Sequence, residues 1–263
     1  MSQTAQSRWF IFYKDQLLLE KKVNGTFVLP CGEIPPIVIK EKTTVHTITT
    51  LEGKNCKSFS LPAPIEESEQ YAMIGLRASY DYLPLSHYQA AGKAHEILHW
   101  DRNSRFCSTC GTLMEQKTVI MKRCPKCGRE VYPAISTAIL VLVKKEDSLL
   151  LVHARNFKGT FNSLVAGFLE TGETLEECVA REVKEETGLE VNNITYFGNQ
   201  PWPYPSGLMV GFIADYAGGE IKLQNEELSA GAFYTRDNLP ELPQKLSLAR
   251  KMIDWWIENP NES

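Results

Sequence analysis

The sequence predicts a mixed α+β protein: a β-rich first part, a small four-cysteine module, and a larger part in which strands alternate with amphipathic helices. Three observations predict it. Residues 1–100 break into short β-like runs separated by turn residues. Cys107, Cys110, Cys124 and Cys127 form two C-x-x-C pairs. Residues 174–188 read TLEECVAREVKEETG, an amphipathic helix with a sharp start and stop.

The chain has 263 residues, of which 43% are hydrophobic and 23% charged, ordinary values for a globular protein of one or two domains. The densest apolar run, AILVLV at 138–143, is strand length, so no membrane span is expected. The N-terminus MSQTAQSRWFIFYK lacks the layout of a secretory signal, and a cytoplasmic location is the expectation. A net charge of −4 argues against broad attraction to nucleic acid or anionic membrane, but not against one RNA end held in a pocket.

In chain order, strands are expected at 9–13, 16–21, 27–29 and 37–39, with Asn24-Gly25 as a hairpin turn. Residues 28–35 read as a loop punctuated by proline and glycine, and 88–100 as a helix. Further strands are expected at 135–144 and 149–154 around a turn at 145–147, then at 194–198, 208–216, 221–223 and 232–235. Residues 238–242 read as a loop. A closing helix at 247–257 places Leu248, Met252, Ile253 and Trp256 on one face. Domain boundaries follow at 1–102, 103–133 and 134–260.

The two cysteine pairs lie thirteen residues apart, and each is followed by glycine, Gly111 and Gly128. This spacing resembles a zinc ribbon with four thiolates around one Zn²⁺ per subunit. Such a site is structural, because no position is left for water. The alternative is two disulfides or unpaired thiols, which a reducing compartment disfavours. Cys31, Cys56 and Cys178 look unpaired, with Cys178 packing in the helix core. The five histidines have no ligand spacing.

The helix from 174 poses a burial problem. Leu175, Cys178 and Val179 mark its inward stripe, and Glu182, Glu185 and Glu186 continue that stripe. Clustered buried carboxylates repel one another and are costly unless a cation sits among them. Hard divalent cations take such oxygen ligands, with Mg²⁺ joining carboxylates to substrate phosphates. The rival reading is a solvated acidic face, which Glu176, Glu177 and Lys184 already supply. Thr174 with Glu177 fits a capping box, and Gly188 a C-terminal cap. Arg181 stands between the loop acid Glu173 and the cluster, where a guanidinium can clamp a carboxylate.

Gly167, five residues, Glu173, seven residues, then Arg181-Glu182-Val183-x-Glu185-Glu186-x-Gly188-Leu189 resembles the Nudix box of the Nudix hydrolases at every defined position. The resemblance implies a Nudix α/β/α sandwich and hydrolysis of a nucleoside diphosphate linked to another moiety. It implies Glu182, Glu185 and Glu186 as catalytic Mg²⁺ or Mn²⁺ ligands, with the Ala166 carbonyl as a further one.

Gln200-Pro201-Trp202-Pro203-Tyr204-Pro205 alternates prolines with aromatics, a stiff segment able to hold flat faces against a base or nicotinamide ring. It fits equally an aromatic turn packed into the domain's own core. The segment resembles the SQPWPFPxS array of the NADH pyrophosphatases, also described as NAD-capped RNA hydrolases. That resemblance implies NAD(H), and RNA carrying a 5′ NAD cap, as substrates. It implies substrate contacts from Gln200, Pro201, Trp202, Pro203, Tyr204, Pro205, Ser206 and Gly207, from Tyr132 and Phe168, and from Arg77 and the backbone near Ala249. It adds Glu227 as a metal ligand and a homodimer in which a stacking aromatic comes from the partner. Read alone, Tyr132 and Phe168 fit core positions better, and Glu227 fits an exposed turn acid. Asn199 and Gly207 depart from the array by replacing its two serines. The remaining alternatives are a Nudix hydrolase of ADP-ribose, a dinucleoside polyphosphate or an oxidised nucleotide, and an RNA-end binding module without hydrolysis.

Overall fold

The structure, a computed structural model, describes residues 6–39 and 43–260. It forms two compact units, Met1–Ala134 with Pro203–Ser206, and Ile135–Trp202 with Gly207–Ser263.

In the first unit, seven strands form one sheet: β1 (Ser7–Tyr13), β2 (Gln16–Lys21), β3 (Phe27–Val28), β4 (Cys31–Gly32), β5 (His46–Leu51), β6 (Lys54–Ser60) and β7 (Tyr71–Gly75). The central path runs β3-β2-β1-β6-β5, with β4 added to β1 and β7 to β2. Asn24-Gly25 turns β2 into β3, with Gly25 at φ 80°. Two expectations are corrected here. Residues 31–32, read as loop, pair with Arg8 and Ser7. Residues 37–39, expected as a strand, join no ladder; Ile37 and Ile39 instead pack on the Trp9, Ile11, Leu18 and Phe59 cluster. Pro35 and Pro36 carry no backbone N–H, so a ladder there lacks its donors.

A 3-10 turn (Ala78–Asp81) leads into α1 (Leu85–Asn103), longer at both ends than expected. The ribbon strands β8 (Glu115–Thr118), β9 (Met121–Arg123) and β10 (Glu130–Val131) form a three-stranded sheet. It is pinned to α1 through Lys122, a buried lysine. The Lys122 ammonium donates to the Asp101 carboxylate at 2.6 Å and to the Asp101 carbonyl at 2.8 Å. His46 of β5 meets the other Asp101 oxygen at 3.2 Å. Burial alone would raise the Asp101 pKa; His46 and Lys122 outweigh it and hold the carboxyl at about 2.

The second unit is a six-stranded mixed sheet: β11 (Ser136–Lys145), β12 (Ser148–Ala154), β13 (Val165–Phe168), β14 (Glu190–Trp202), β15 (Gly207–Gly218) and β16 (Leu228–Thr235), ordered β14-β15-β11-β12-β16 with β13 on β11. β11 is apolar and buried from Ala138 to Val143 because helices cover both sheet faces. Its Ile139, Val141 and Val143 join Cys178, Val179 and Val183 of α2 (Leu175–Thr187) in one core. Its alternate residues Leu140 and Leu142 join Leu248, Met252, Ile253 and Trp256 of α3 (Leu248–Glu258) in the other. Residues 221–223, expected as a strand, are not one. The Lys222 N–H donates to the Thr187 carbonyl at 2.8 Å and the Gln224 N–H to the Glu186 carbonyl at 2.9 Å, so this segment caps α2 instead.

Candidate active site and metal centres

The ribbon knuckles are built as their glycines require. The Gly111 N–H donates to the Cys107 carbonyl at 2.8 Å, and the Gly128 N–H to the Cys124 carbonyl at 3.0 Å. Both glycines adopt positive φ, 70° and 76°, a conformation that L side chains rarely take. The four sulfurs lie within 4.8 Å of one another, with two contacts of 3.5 Å. A tetrahedral Zn²⁺ with ~2.3 Å bonds to sulfur requires sulfur separations of roughly 3.8 Å, so the donor set fits. Zinc held by four thiolates is structural.

The second centre is built on α2. Thr174 and Glu177 form the reciprocal capping box, and Gly188 ends the helix at φ 75°. The loop before it is held by Arg181. Its Nε and Nη2 donate to the two Glu173 oxygens at 3.1 and 2.6 Å, its Nη1 to Glu182 at 2.9 Å and Glu185 at 3.1 Å, and its Nη2 to the Phe168 carbonyl at 3.0 Å. The paired contact on Glu173 is the bidentate clamp, and with a further N–H bond from Glu170 it holds the Glu173 carboxyl at about 2. A Cβ at Gly167 would lie 1.8 Å from the Glu182 carboxyl carbon, so a side chain there would displace the Glu182 carboxylate. Cys178 packs as expected, and burial pushes its thiol up to about 12.

The inward stripe needs one correction. Glu186 is buried and Glu182 nearly so, but the Glu185 side chain is 56% exposed. Val183 and Thr187 are buried instead, which rotates the buried face away from Glu185. Burial raises the pKa of Glu182, against the opposing pull of Arg181. Glu186 has no such cation partner among the described residues. Burial, then the charges of Glu182 and Glu227, push its carboxyl up to about 8. Glu227 reaches this position because Gln224 is tied to the Glu186 carbonyl and the turn at 224–228 closes on itself, with the Glu227 and Leu228 N–H groups donating to the Gln224 carbonyl at 3.1 and 3.0 Å.

Ala166, Glu186, Glu226 and Glu227 line one cavity of about 500 Å³, together with Arg155, Asn156 and Phe157. These last three were absent from the sequence reading; the alternation of β12 into a short loop before β13 was the available signal. Hard carboxylate oxygens around a buried, unbalanced negative charge are a donor set suited to Mg²⁺ or Mn²⁺. Among the described residues only the four cysteines converge as a ready cluster of three or more ligand groups, so the carboxylates would draw together around the cation.

The remaining expected residues divide. Phe168 is 66% exposed and Tyr132 53%, so neither is a core aromatic. The array forms the tip of the β14–β15 hairpin, with Trp202 paired to Gly207. Gln200 donates to the Leu246 carbonyl at 2.9 Å, and Pro201 and Pro205 are exposed. Pro203 is buried against Gly92, and its carbonyl accepts from His95 at 3.0 Å. The Tyr204 hydroxyl meets that of Tyr88, and burial raises its pKa. Pro203 is thus packed on α1, while Tyr204 is half-buried and touches α1 through its hydroxyl. Ser206 donates to the Ala134 carbonyl at 2.8 Å. A Cβ at Gly207 would sit 3.1 Å from the Trp202 carbonyl oxygen, tight enough to explain glycine there. Asn199 donates to the Tyr196 hydroxyl at 2.6 Å. Arg77 is exposed just before the 3-10 turn, and its charge acts on Tyr88 and Tyr204. The Ala249 side chain is core, so only its backbone can face a ligand.

Comparison with known proteins gives three contiguous matches. Residues 6–100 match the NADH pyrophosphatase-like rudimentary NUDIX domain, 102–132 the NADH pyrophosphatase zinc ribbon domain, and 133–256 the NUDIX domain. A Pseudomonas aeruginosa protein named NAD-capped RNA hydrolase NudC is 38% identical over 213 residues, 81% of this chain and 76% of that one. One of the same name from Photobacterium profundum is 42% identical over 212 residues, 80% and 74% of the two chains. A Nudix hydrolase structure from Nitrosomonas europaea aligns with a TM-score of 0.49 at 22% identity, covering 60% of this chain and 93% of that one. No helix among the described residues is long and apolar enough to cross a membrane.

Proposed function

The chain belongs to the NudC-type NADH pyrophosphatases of the Nudix hydrolases, and from that premise we propose that it cleaves the pyrophosphate of NAD(H) and removes the NAD cap from RNA 5′ ends. Water adds to one phosphorus, the bridging P–O bond breaks, and AMP and nicotinamide mononucleotide leave. On capped RNA the same cut leaves a 5′-monophosphate. The observation that carries the reading is the buried Glu186 beside Glu227, with no ion-pair partner among the described residues, in a cavity that Ala166 also lines.

Glu182, Glu186, Glu227 and the Ala166 carbonyl would hold Mg²⁺ or Mn²⁺, with Glu185 at the rim. Bound there, the cation supplies neutralisation of the pyrophosphate and a lowered pKa for the attacking water. Arg181 orients the Glu182 and Glu185 carboxylates, and Glu173 fixes Arg181. Glu186 would accept the proton of the attacking water. Phe168 and Tyr132 offer exposed rings suited to stacking on nicotinamide or adenine.

The ribbon is assigned to 103–133 and the catalytic domain to 134–260, following 1–102. A homodimer of twice the 29.7 kDa chain mass is part of the same reading, and light scattering at the single-chain mass would overturn it. A cytoplasmic location suits a four-thiolate site.

The deciding experiment compares kcat/KM for NADH, NAD⁺, NAD-capped RNA, ADP-ribose and diadenosine polyphosphate in Mg²⁺ and in Mn²⁺. NADH or the capped RNA should lead. ADP-ribose or the dinucleoside polyphosphate leading by tenfold would replace the substrate assignment. RNA-end binding with no hydrolysis in either metal would sink the enzyme.

A further inference from the structure

The cavity that holds Glu186 and Glu227 contains one cationic lining residue, and its charged end is unused. Arg155 follows β12. Its backbone N–H donates to the Glu227 carbonyl at 2.8 Å, and its side-chain Nε donates to the Asn225 carbonyl at 2.5 Å. These two bonds tie one edge of the guanidinium to the turn that carries Glu227. The other edge, with both terminal amino groups, has no hydrogen-bond or ion-pair partner among the described residues, although Glu186, Glu226 and Glu227 line the same cavity. Arg181 differs: each of its donor nitrogens is already engaged by Glu173, Glu182, Glu185 or the Phe168 carbonyl.

We propose that Arg155 is a substrate-binding residue whose free guanidinium edge grips non-bridging phosphate oxygens of the pyrophosphate. The proposal rests on the pyrophosphatase reading above. A planar fork with two parallel N–H donors matches two oxygens of one phosphate group, a geometry that lysine cannot reproduce. The Nε tether pre-sets the fork, so little rotamer freedom is lost on binding. Hydrolysis turns one diester-like pyrophosphate into two phosphate ends and raises the negative charge at phosphorus. A fixed cation is therefore worth more to the products and the transition state than to the bound substrate. Phe157 forms the wall beside it, stacked on Phe161 at 4.5 Å with an interplanar angle of 18° and braced edge-on by His153 at 5.7 Å.

The test uses full-length Arg155→Ala, Arg155→Lys and Arg155→Gln with NAD⁺ in Mg²⁺. It also measures calorimetric binding of a methylene-bridged NAD analogue that cannot be cleaved. Arg155→Ala should lose about 100-fold in kcat/KM, mostly in kcat, and bind the analogue about tenfold more weakly. Arg155→Lys should recover less than a tenth of the loss. Millimolar guanidinium should restore turnover to Arg155→Ala but not to Arg155→Lys, which a purely structural tether to Asn225 does not predict. If Arg155→Ala does not fold, Arg155→Gln and Arg155→Lys carry the same comparison. Variants within threefold of wild type in both kcat/KM and analogue affinity overturn the proposal. Wild type that ignores NAD⁺ but cleaves another nucleoside diphosphate derivative overturns the substrate reading alone, and the same variants then test Arg155 on that compound.

Discussion

Glu186→Gln should separate the fold from the chemistry, because the structure assigns Glu186 opposite roles in each. Its carboxyl titrates near pH 8 in the metal-free fold, against 4.5 for the ordinary group. A carboxylate whose folded pKa is raised destabilises the fold wherever it is ionised in the unfolded chain. The penalty is absent below pH 4.5, grows as pH rises, and levels off above pH 8. At about 1.36 kcal/mol per pKa unit, the shift from 4.5 to 8 corresponds to about 3 kcal/mol at pH 7 and about 5 kcal/mol well above pH 8. Glutamine removes the charge but leaves a buried amide to satisfy, at about 1 kcal/mol. Glu186→Gln should therefore be about 2 kcal/mol more stable than wild type at pH 7 without Mg²⁺, a rise of roughly 4–8 °C in Tm. The gain should vanish by pH 5. Mg²⁺ should stabilise wild type and not the variant, and kcat should fall at least about 100-fold. The assay is thermal unfolding in Mg²⁺-free buffer without strong chelator, with zinc content verified, beside NADH turnover. A variant no more stable than wild type at pH 8, or one keeping more than a tenth of kcat, would refute the reasoning.

Three further outcomes follow from the same geometry. Gly167→Ala drives a methyl into the Glu182 carboxyl, 1.8 Å away, so it should cost about 1–3 kcal/mol in urea denaturation and displace Glu182 from the metal; unchanged Mg²⁺ affinity by calorimetry would contradict this. Stripping zinc, or Cys124→Ser, should unfold the ribbon, since zinc binding by such modules carries about 10–16 kcal/mol of folding energy; hydrogen exchange at 107–131 unaltered after verified zinc loss would refute a structural role. Asp101→Asn leaves the buried Lys122 ammonium without its carboxylate and should cost about 3–5 kcal/mol, and adding Lys122→Met should recover part of it; a double variant less stable than the single one would contradict that account.

The catalytic unit was legible because its signals are local. The helix stripe, the capping box from Thr174, the Gly188 stop and the spacing of Gly167, Glu173 and Arg181 each follow from neighbours within one or two turns. The zinc ribbon was legible for the same reason. What escaped depends on partners distant in sequence. β5 and β6 read HTITTL and KNCKSFS, too polar to announce themselves; their signal was the threonine content and the turn between them, where Glu52 and Gly53 both take positive φ. Residues 221–223 have strand-like composition, yet their donors go to the end of α2. The array fits a ligand platform and a packed turn equally well in sequence, and the contacts of Pro203 with Gly92 and His95 and of the Tyr204 hydroxyl with Tyr88 depend on α1, about a hundred residues earlier.

The distribution of cations around α2 decides where a metal is needed. Arg181 pairs Glu173 through two donors and gives a third to Glu182 and Glu185, so these carboxylates share one cation. Glu186 and Glu227 receive none of that charge. Placing a second arginine there would have relieved the burial cost at Glu186, but it would have filled the position proposed for the divalent cation. The chain instead keeps Arg155 tethered through Asn225, within the cavity but paired to no carboxylate. A metal-free fold thus has one cation paired to the carboxylates at one end of the acidic stripe, and at the other end Glu186 and Glu227 have no ion pair among the described residues. The under-neutralised end is the one that lines the cavity, so near neutral pH a cation bound there would relieve the cost of burying Glu186.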